Sequence, residues 1–146
     1  MQLEWHPTSP HCFCSGSYDE KLRIWDDRNL LKPLSEVHIE GGGIWRTKWS
    51  IGDEMGSKRY DSYIVAAAMH AGCSVIALDS SYQMSKMCTY KDAVSQNTLC
   101  YGASILDRQP SWYSDDDNKE VDVGVAFSIG SCSFYEDVIH IWSCAF

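Results

Sequence analysis

The sequence predicts an all-β protein. Short runs rich in Val, Ile, Trp, Tyr and Phe recur along its 146 residues, each bounded by turn residues. Four prolines and ten glycines punctuate those runs. No stretch long enough for a helix keeps the i, i+3, i+4 spacing of apolar residues. Residues 84–94 come nearest, and they read better as a loop. With 45% hydrophobic and 22% charged residues, the composition is that of a globular domain, neither disordered nor fibrous.

The first candidate strand, 2–5, alternates Leu3 and Trp5 with polar residues. The second and third, 12–15 and 22–25, flank the polar turn Gly16-Ser17-Tyr18-Asp19-Glu20, and the third ends on Trp25. Three glycines, Gly41 to Gly43, open the next, 43–49. Strands 63–68 and 74–78 are the most apolar, separated by Met69-His70-Ala71-Gly72. Four more follow at 100–105, 121–127, 130–134 and 138–142, the last ending on Trp142. Polar linkers are expected at 50–61, 80–98 and 108–120.

Internal repetition sets the architecture. Cys14-Ser15-Gly16-Ser17-Tyr18-Asp19-Glu20-Lys21-Leu22-Arg23-Ile24-Trp25-Asp26 is a strand, a tight polar turn and a strand that closes on Trp. Ser131-Cys132-Ser133-Phe134-Tyr135-Glu136-Asp137-Val138-Ile139-His140-Ile141-Trp142 repeats it, with an acidic residue six positions before the Trp in both copies. A degenerate copy runs from Ala67 to Ala77, and the strand endings at Trp5 and Trp49 stand 44 residues apart. A unit of about 40–45 residues with four strands and a terminal Trp marks a WD-repeat propeller blade. Approximate blades are 1–40, 41–98 and 99–146. The expectation is about three blades of an incomplete, seven-bladed ring, the C-terminal part of a longer protein or a shortened gene product. Open blade edges would then favour self-association. Asp19, Trp25, Glu136 and Trp142 read as structural: the acid ties the turn, and the ring fills space between blades.

Charge and cysteine usage exclude several classes. Twelve Lys and Arg against twenty Asp and Glu leave a net charge of −8, which opposes an electrostatic grip on nucleic acid or anionic lipid. No apolar run approaches a membrane span, and no signal peptide is evident, so a cytoplasmic location is expected. Seven cysteines, an odd number without regular spacing, read as reduced thiols. Cys12 and Cys14 are the nearest thing to a metal-ligand pair, but no second pair stands at zinc-finger spacing, and no metal or cofactor is expected. The acidic run 114–120 lacks the Gly and final Glu of a calcium loop and reads as solvated.

Several segments are more specific than the repeat. They are Ser17-Tyr18-Asp19-Glu20, Arg23-Ile24-Trp25-Asp26-Asp27-Arg28, Gly41-Gly42-Gly43-Ile44-Trp45-Arg46-Thr47-Lys48-Trp49, Ala66-Ala67-Ala68-Met69-His70-Ala71-Gly72, Leu99-Cys100-Tyr101-Gly102-Ala103 and Ser131-Cys132-Ser133-Phe134-Tyr135. In this order they resemble the C-terminal half of the diphthine methyl esterase family, also called diphthine methyltransferase, WD-repeat proteins of diphthamide biosynthesis. One departure is Ser104-Ile105, where the pattern expects Asp-Trp. The resemblance implies a carboxylic ester hydrolase whose partner is translation elongation factor 2. It would remove the methyl ester of methylated diphthine, freeing a carboxylate for amidation to diphthamide. The rival class is a noncatalytic WD-repeat adaptor.

Blade topology gathers the candidate residues. Loops entering the first strand of each blade, and turns between its second and third strands, emerge on one face of the disc. That places His38, Glu40, Trp45, Arg46, His70 and Tyr101 on one rim, where loops on a rigid scaffold concentrate function. No Gly-x-Ser-x-Gly elbow is present. His70 is the candidate general base, or else a surface histidine. Gly42 and Gly43 either shape a positive-φ turn or offer amides to an oxyanion. Trp45 packs between blades or faces a substrate quaternary ammonium, with Tyr101, Tyr18 and Tyr135 as further cage candidates. Arg46 pairs with Asp19 or Glu40, or holds a carboxylate. Cys73 has no neighbouring base in sequence, and His140 is expected to point outward as a structural residue.

Overall fold

The computed structural model describes residues 2–51, 60–92, 99–111, 124–133 and 138–145. Among them are eleven strands and no helix, arranged as three antiparallel sheets. The first sheet is β1 (Gln2–Trp5), β2 (Cys12–Gly16), β3 (Lys21–Asp26) and β4 (Ser35–His38), paired in sequence order. The middle sheet repeats that meander with β5 (Arg46–Ile51), β6 (Ser62–Ala67), β7 (Cys73–Leu78) and β8 (Met84–Tyr90). The third holds β9 (Cys100–Ser111), β10 (Gly124–Ser133) and β11 (Ile139–Ala145). Strand β1 neighbours β5, and β5 neighbours β9, so the sheets stand side by side like the blades of a propeller.

The middle sheet is covered on both faces, and its sequence shows it. Every residue of β6 and β7 is buried, which is why these strands are continuous apolar runs instead of alternating ones. One face, with Trp49, Ile64, Ala66, Ile76 and Leu78, packs on Cys12, Cys14, Leu22 and Ile24 of the first sheet. The other, with Tyr63, Val65, Ala67, Cys73, Val75 and Ala77, packs on Cys100, Phe127, Ile129 and Trp142 of the third. The first sheet and β11 alternate because each has one open face.

Register ties the sheets to a common plan. Phe13 pairs with Trp25, and Ile129 with Trp142. In both sheets the Trp Nε1 donates to a serine two residues beyond its partner: Ser15 Oγ at 2.8 Å and Ser131 Oγ at 3.3 Å. The corresponding pair in the middle sheet is Ile64 with Ile76, and the serine position is Ala66. Asp19 Oδ1 accepts from the Lys21 amide at 3.2 Å, and its carboxylate meets Arg23 at 2.6 Å, which holds its pKa down to about 2.

Four expectations are corrected. The 80–98 linker contains a strand, β8, where 84–94 read as helix-like or loop. Strand β4 lies where no strand was predicted. Strand β10 is one element spanning the two predicted at 121–127 and 130–134, and β9 runs on to Ser111. His140 does not point outward: it shares a face with Trp142 and packs beside Tyr90, whose OH lies 3.3 Å from His140 Nδ1. The acidic run 114–120, Tyr135, Glu136 and the rest of 134–137 lie outside the described residues.

Candidate functional site

The segment from Ile39 to Trp45 crosses from the first sheet to the middle one, and both hairpin turns stitch it down. The Ile39 amide donates to Glu20 O at 2.8 Å, Ile44 to Ser17 O at 2.9 Å, and Trp45 to Ala67 O at 2.9 Å. Ile39 and Ile44 fill the space beneath. The three glycines serve different purposes. Only Gly41 has a positive φ, 92°. A Cβ on Gly42 would overlap the Ala68 carbonyl oxygen, and one on Gly43 would press on Tyr18 at 3.1 Å. The expected positive-φ turn therefore rests on Gly41, while Gly42 and Gly43 permit close approach of two turns. Among the described residues, the amides of Gly42 and Gly43 have no backbone acceptor.

The third sheet joins the same rim. The Cys100 amide donates to Met69 O at 3.0 Å, which fixes the start of β9 against the turn carrying His70. Tyr101 thereby meets Trp45 edge to face, with ring centroids 5.5 Å apart. Trp45 and Tyr18 stay exposed. His38 Nε2 and Glu20 Oε2 are 2.8 Å apart across the first sheet's turn.

The structure thus brings Tyr18, Gly42, Gly43, Trp45 and Tyr101 together. Arg46 is exposed, and among the described residues it has no ion-pair partner; Asp19, one expected partner, is taken by Arg23. His70 is exposed on its turn, and among the described residues no side chain orients its ring. Cys73 is buried against Cys100, and that neighbouring thiol together with burial pushes the Cys73 pKa up, away from the thiolate form. Burial likewise raises Cys12 to about 11 and Cys14 to about 12. Among the described residues no group of three His, Cys, Asp or Glu is placed to hold a metal ion, and no helix is long and apolar enough to cross a membrane.

A second polar locus was not anticipated. Between the middle and third sheets a crevice of about 20 Å³, room for about one water, is lined in part by Tyr90, Asp92, Cys100, Ser133 and His140. His140 Nε2 is 4.0 Å from Asp92 Oδ2 and has no hydrogen-bond partner among the described residues. The i, i+2 relation of His140 to Trp142 was the signal that could have turned it inward.

Blade-like meanders side by side, with a Trp–Ser bond in two of them, define a WD-repeat β-propeller protein. No protein-family model matches the chain. It is 30% identical over 141 residues to a diphthine methyltransferase homologue of Dictyostelium discoideum, covering 94% of this chain and 33% of that protein. The human diphthine methyltransferase is 30% identical over 114 residues, which is 73% of this chain and 24% of the relative. A ribosome biogenesis protein WDR12 homologue of Ixodes scapularis is 34% identical over 62 residues, 42% of this chain and 15% of that protein. Over most of its own length the chain is thus similar to diphthine methyltransferases. It spans about a third or less of the length of these relatives.

Proposed function

We propose that the chain is the C-terminal part of a carboxylic ester hydrolase of diphthamide biosynthesis, with blades at about 1–40, 41–98 and 99–146. In this reading the substrate is methylated diphthine on translation elongation factor 2, docked on the rim around Trp45. Water adds to the ester carbonyl, the methoxy group leaves as methanol, and a carboxylate remains, ready for amidation. The observation that carries the reading is the exposed Trp45 set edge to face on Tyr101. Aromatic faces attract a quaternary ammonium, such as the one diphthine carries, by about 0.5–2 kcal/mol. The Gly42 and Gly43 amides would face the developing oxyanion, Arg46 a carboxylate, and His70 would take the proton of the attacking water.

The test is methanol release from methylated-diphthine elongation factor 2, with binding of that substrate measured in parallel. Trp45→Ala and Tyr101→Ala should each weaken binding by about 2- to 30-fold. His70→Asn should abolish release and leave binding intact. Binding by the unaltered chain without any release would favour the noncatalytic adaptor, a reading supported by the absence, among the described residues, of a side chain that orients His70.

A further inference from the structure

We propose that Cys88 and Cys144 form an oxidative modification site, at which a hydroperoxide converts two thiols into a disulfide that ties the third sheet to the middle one. The inference is independent of the esterase reading.

The strands that carry the two cysteines bring them together. Strand β8 pairs with β7 through a bulge: Val75 stands opposite Cys88 and Ile76 opposite Lys86, which leaves Met87 as the extra residue. Met87 and Cys88 both pack on the core between the middle and third sheets. Alternation puts Tyr90 on the same face of β8 as Cys88, and Trp142 on the same face of β11 as Cys144. The Tyr90 and Trp142 rings stack across the interface with centroids 5.1 Å apart. Strand β8 ends, and β11 starts, at the crevice that Asp92, Cys100 and His140 line. One step away from it, beyond the Tyr90–Trp142 stack, β8 presents Cys88 and β11 presents Cys144. Both belong to one core, and Cys144 is the thiol that neighbours Cys88. The two flanking sheets are part of this chain, and neither thiol lies on an end face.

Access separates this pair from the other one in the same core. Cys73 and Cys100 are buried, whereas Cys88 and Cys144 are half-buried and within reach of a small oxidant. The Cys144 thiol beside it, and the Val75 backbone, lower the Cys88 pKa against the opposing effect of burial. Cys88 is then the attacking thiol and Cys144 the resolving one. All seven cysteines are free, so the resting state is the dithiol. The Cys88 thiolate attacks one peroxide oxygen, the O–O bond breaks, and hydroxide leaves to take the Cys88 proton as water. The Cys144 sulfur then attacks the sulfenic sulfur of Cys88. The S–S bond forms, the S–O bond breaks, and the departing hydroxide takes the Cys144 proton. Two thiols are oxidised and one peroxide is reduced to two waters. The product fixes the sheet that carries Tyr101 against the sheet that Trp45 precedes.

The test is peptide mapping by mass spectrometry after the reduced full chain meets hydrogen peroxide and is then alkylated in denaturant. The expected product is a peptide pair joining Cys88 to Cys144, which dithiothreitol separates again. In the bridged chain, alkylation of Cys73 and Cys100 under native conditions should slow by about thirtyfold or more, the effect of a disulfide that closes a long loop. Cys144→Ser should form no bridge and leave on Cys88 a sulfenic acid that dimedone traps; Cys144→Ala repeats the measurement should the first variant fail to fold. Oxidation confined to Cys132 would overturn the proposal. So would a bridge joining Cys73 to Cys100 in place of the predicted one, or a Cys88–Cys144 bridge that forms as fast in the unfolded chain.

Discussion

At the level of single residues, adjacent glycines on the rim make unequal demands. Gly41 needs its positive φ, but a Cβ there would meet nothing within 4 Å. Gly42 has no such φ, yet its Cβ would strike the backbone of Ala68 and come within 2.7 Å of the Ala71 amide nitrogen. Backbone cannot rotate aside as a side chain can. Gly41→Ala should therefore cost about 1 kcal/mol of left-handed strain. Gly42→Ala should cost about 3 kcal/mol or more by prising apart the segment and the turn that it crosses. Denaturant titration of both variants checks this, and equal losses would mean that the crossing is looser than its hydrogen bonds suggest. Sequence reading found the glycines and placed them on the rim, because repeat topology puts such segments on one face. It did not separate their roles. That distinction depends on Ala68, distant in sequence and brought near only by packing.

At the level of elements, one hydrogen bond occurs in two environments. Ser131 is buried, and Trp142 lies between sheets, stacked on Tyr90 at 5.1 Å. Ser15 and Trp25 lie half-exposed on an open face. Ser131→Ala should cost about 1–3 kcal/mol, since the indole N–H is left dry and unpaired. Ser15→Ala should cost under about 1 kcal/mol, because water replaces the hydroxyl. Paired thermal melts of these variants provide the measurement. The same contrast explains which strands were legible in the sequence. Strands β6 and β7 announced themselves as apolar runs, and β2, β3 and β11 by alternation. Strands β4 and β8 escaped because they are outer strands with little buried surface: Ser35-Glu36-Val37-His38 is polar at three of its four positions, and in Met84-Ser85-Lys86-Met87-Cys88-Thr89-Tyr90 the polar Ser85, Lys86 and Thr89 break any regular alternation. What holds them is pairing to β3 and β7, a tertiary fact that their own composition does not encode.

At the level of the whole molecule, stability in a row of sheets is close to a sum of sheet and interface contributions, so the weaker interface opens first. The two internal interfaces differ in packing. Between the first and middle sheets it is apolar around Ile24, Ile64 and Ile76, with Cys12 and Cys14 within it, and Ser35 Oγ and Ser62 Oγ are buried on the same faces without hydrogen-bond partners among the described residues. Between the middle and third sheets lie a crevice and two buried polar atoms, Ser133 Oγ and His140 Nε2, without hydrogen-bond partners among the described residues. Each interface thus holds two such atoms, and the gap in packing is what lowers the contribution of the second. Local opening should therefore detach the third sheet more often than the first. The cysteines report it directly, since Cys73 and Cys100 lie in one interface and Cys12 and Cys14 in the other. Under pulsed alkylation read by mass spectrometry, exposed Cys132 should label at once. Cys73 and Cys100 should follow, and Cys12 and Cys14 should label last, near the rate of global unfolding. If Cys12 and Cys14 label before Cys73 and Cys100, the apolar interface is the weaker one. If all four label at a single rate, the sheets open as one cooperative unit and the interfaces are not independent.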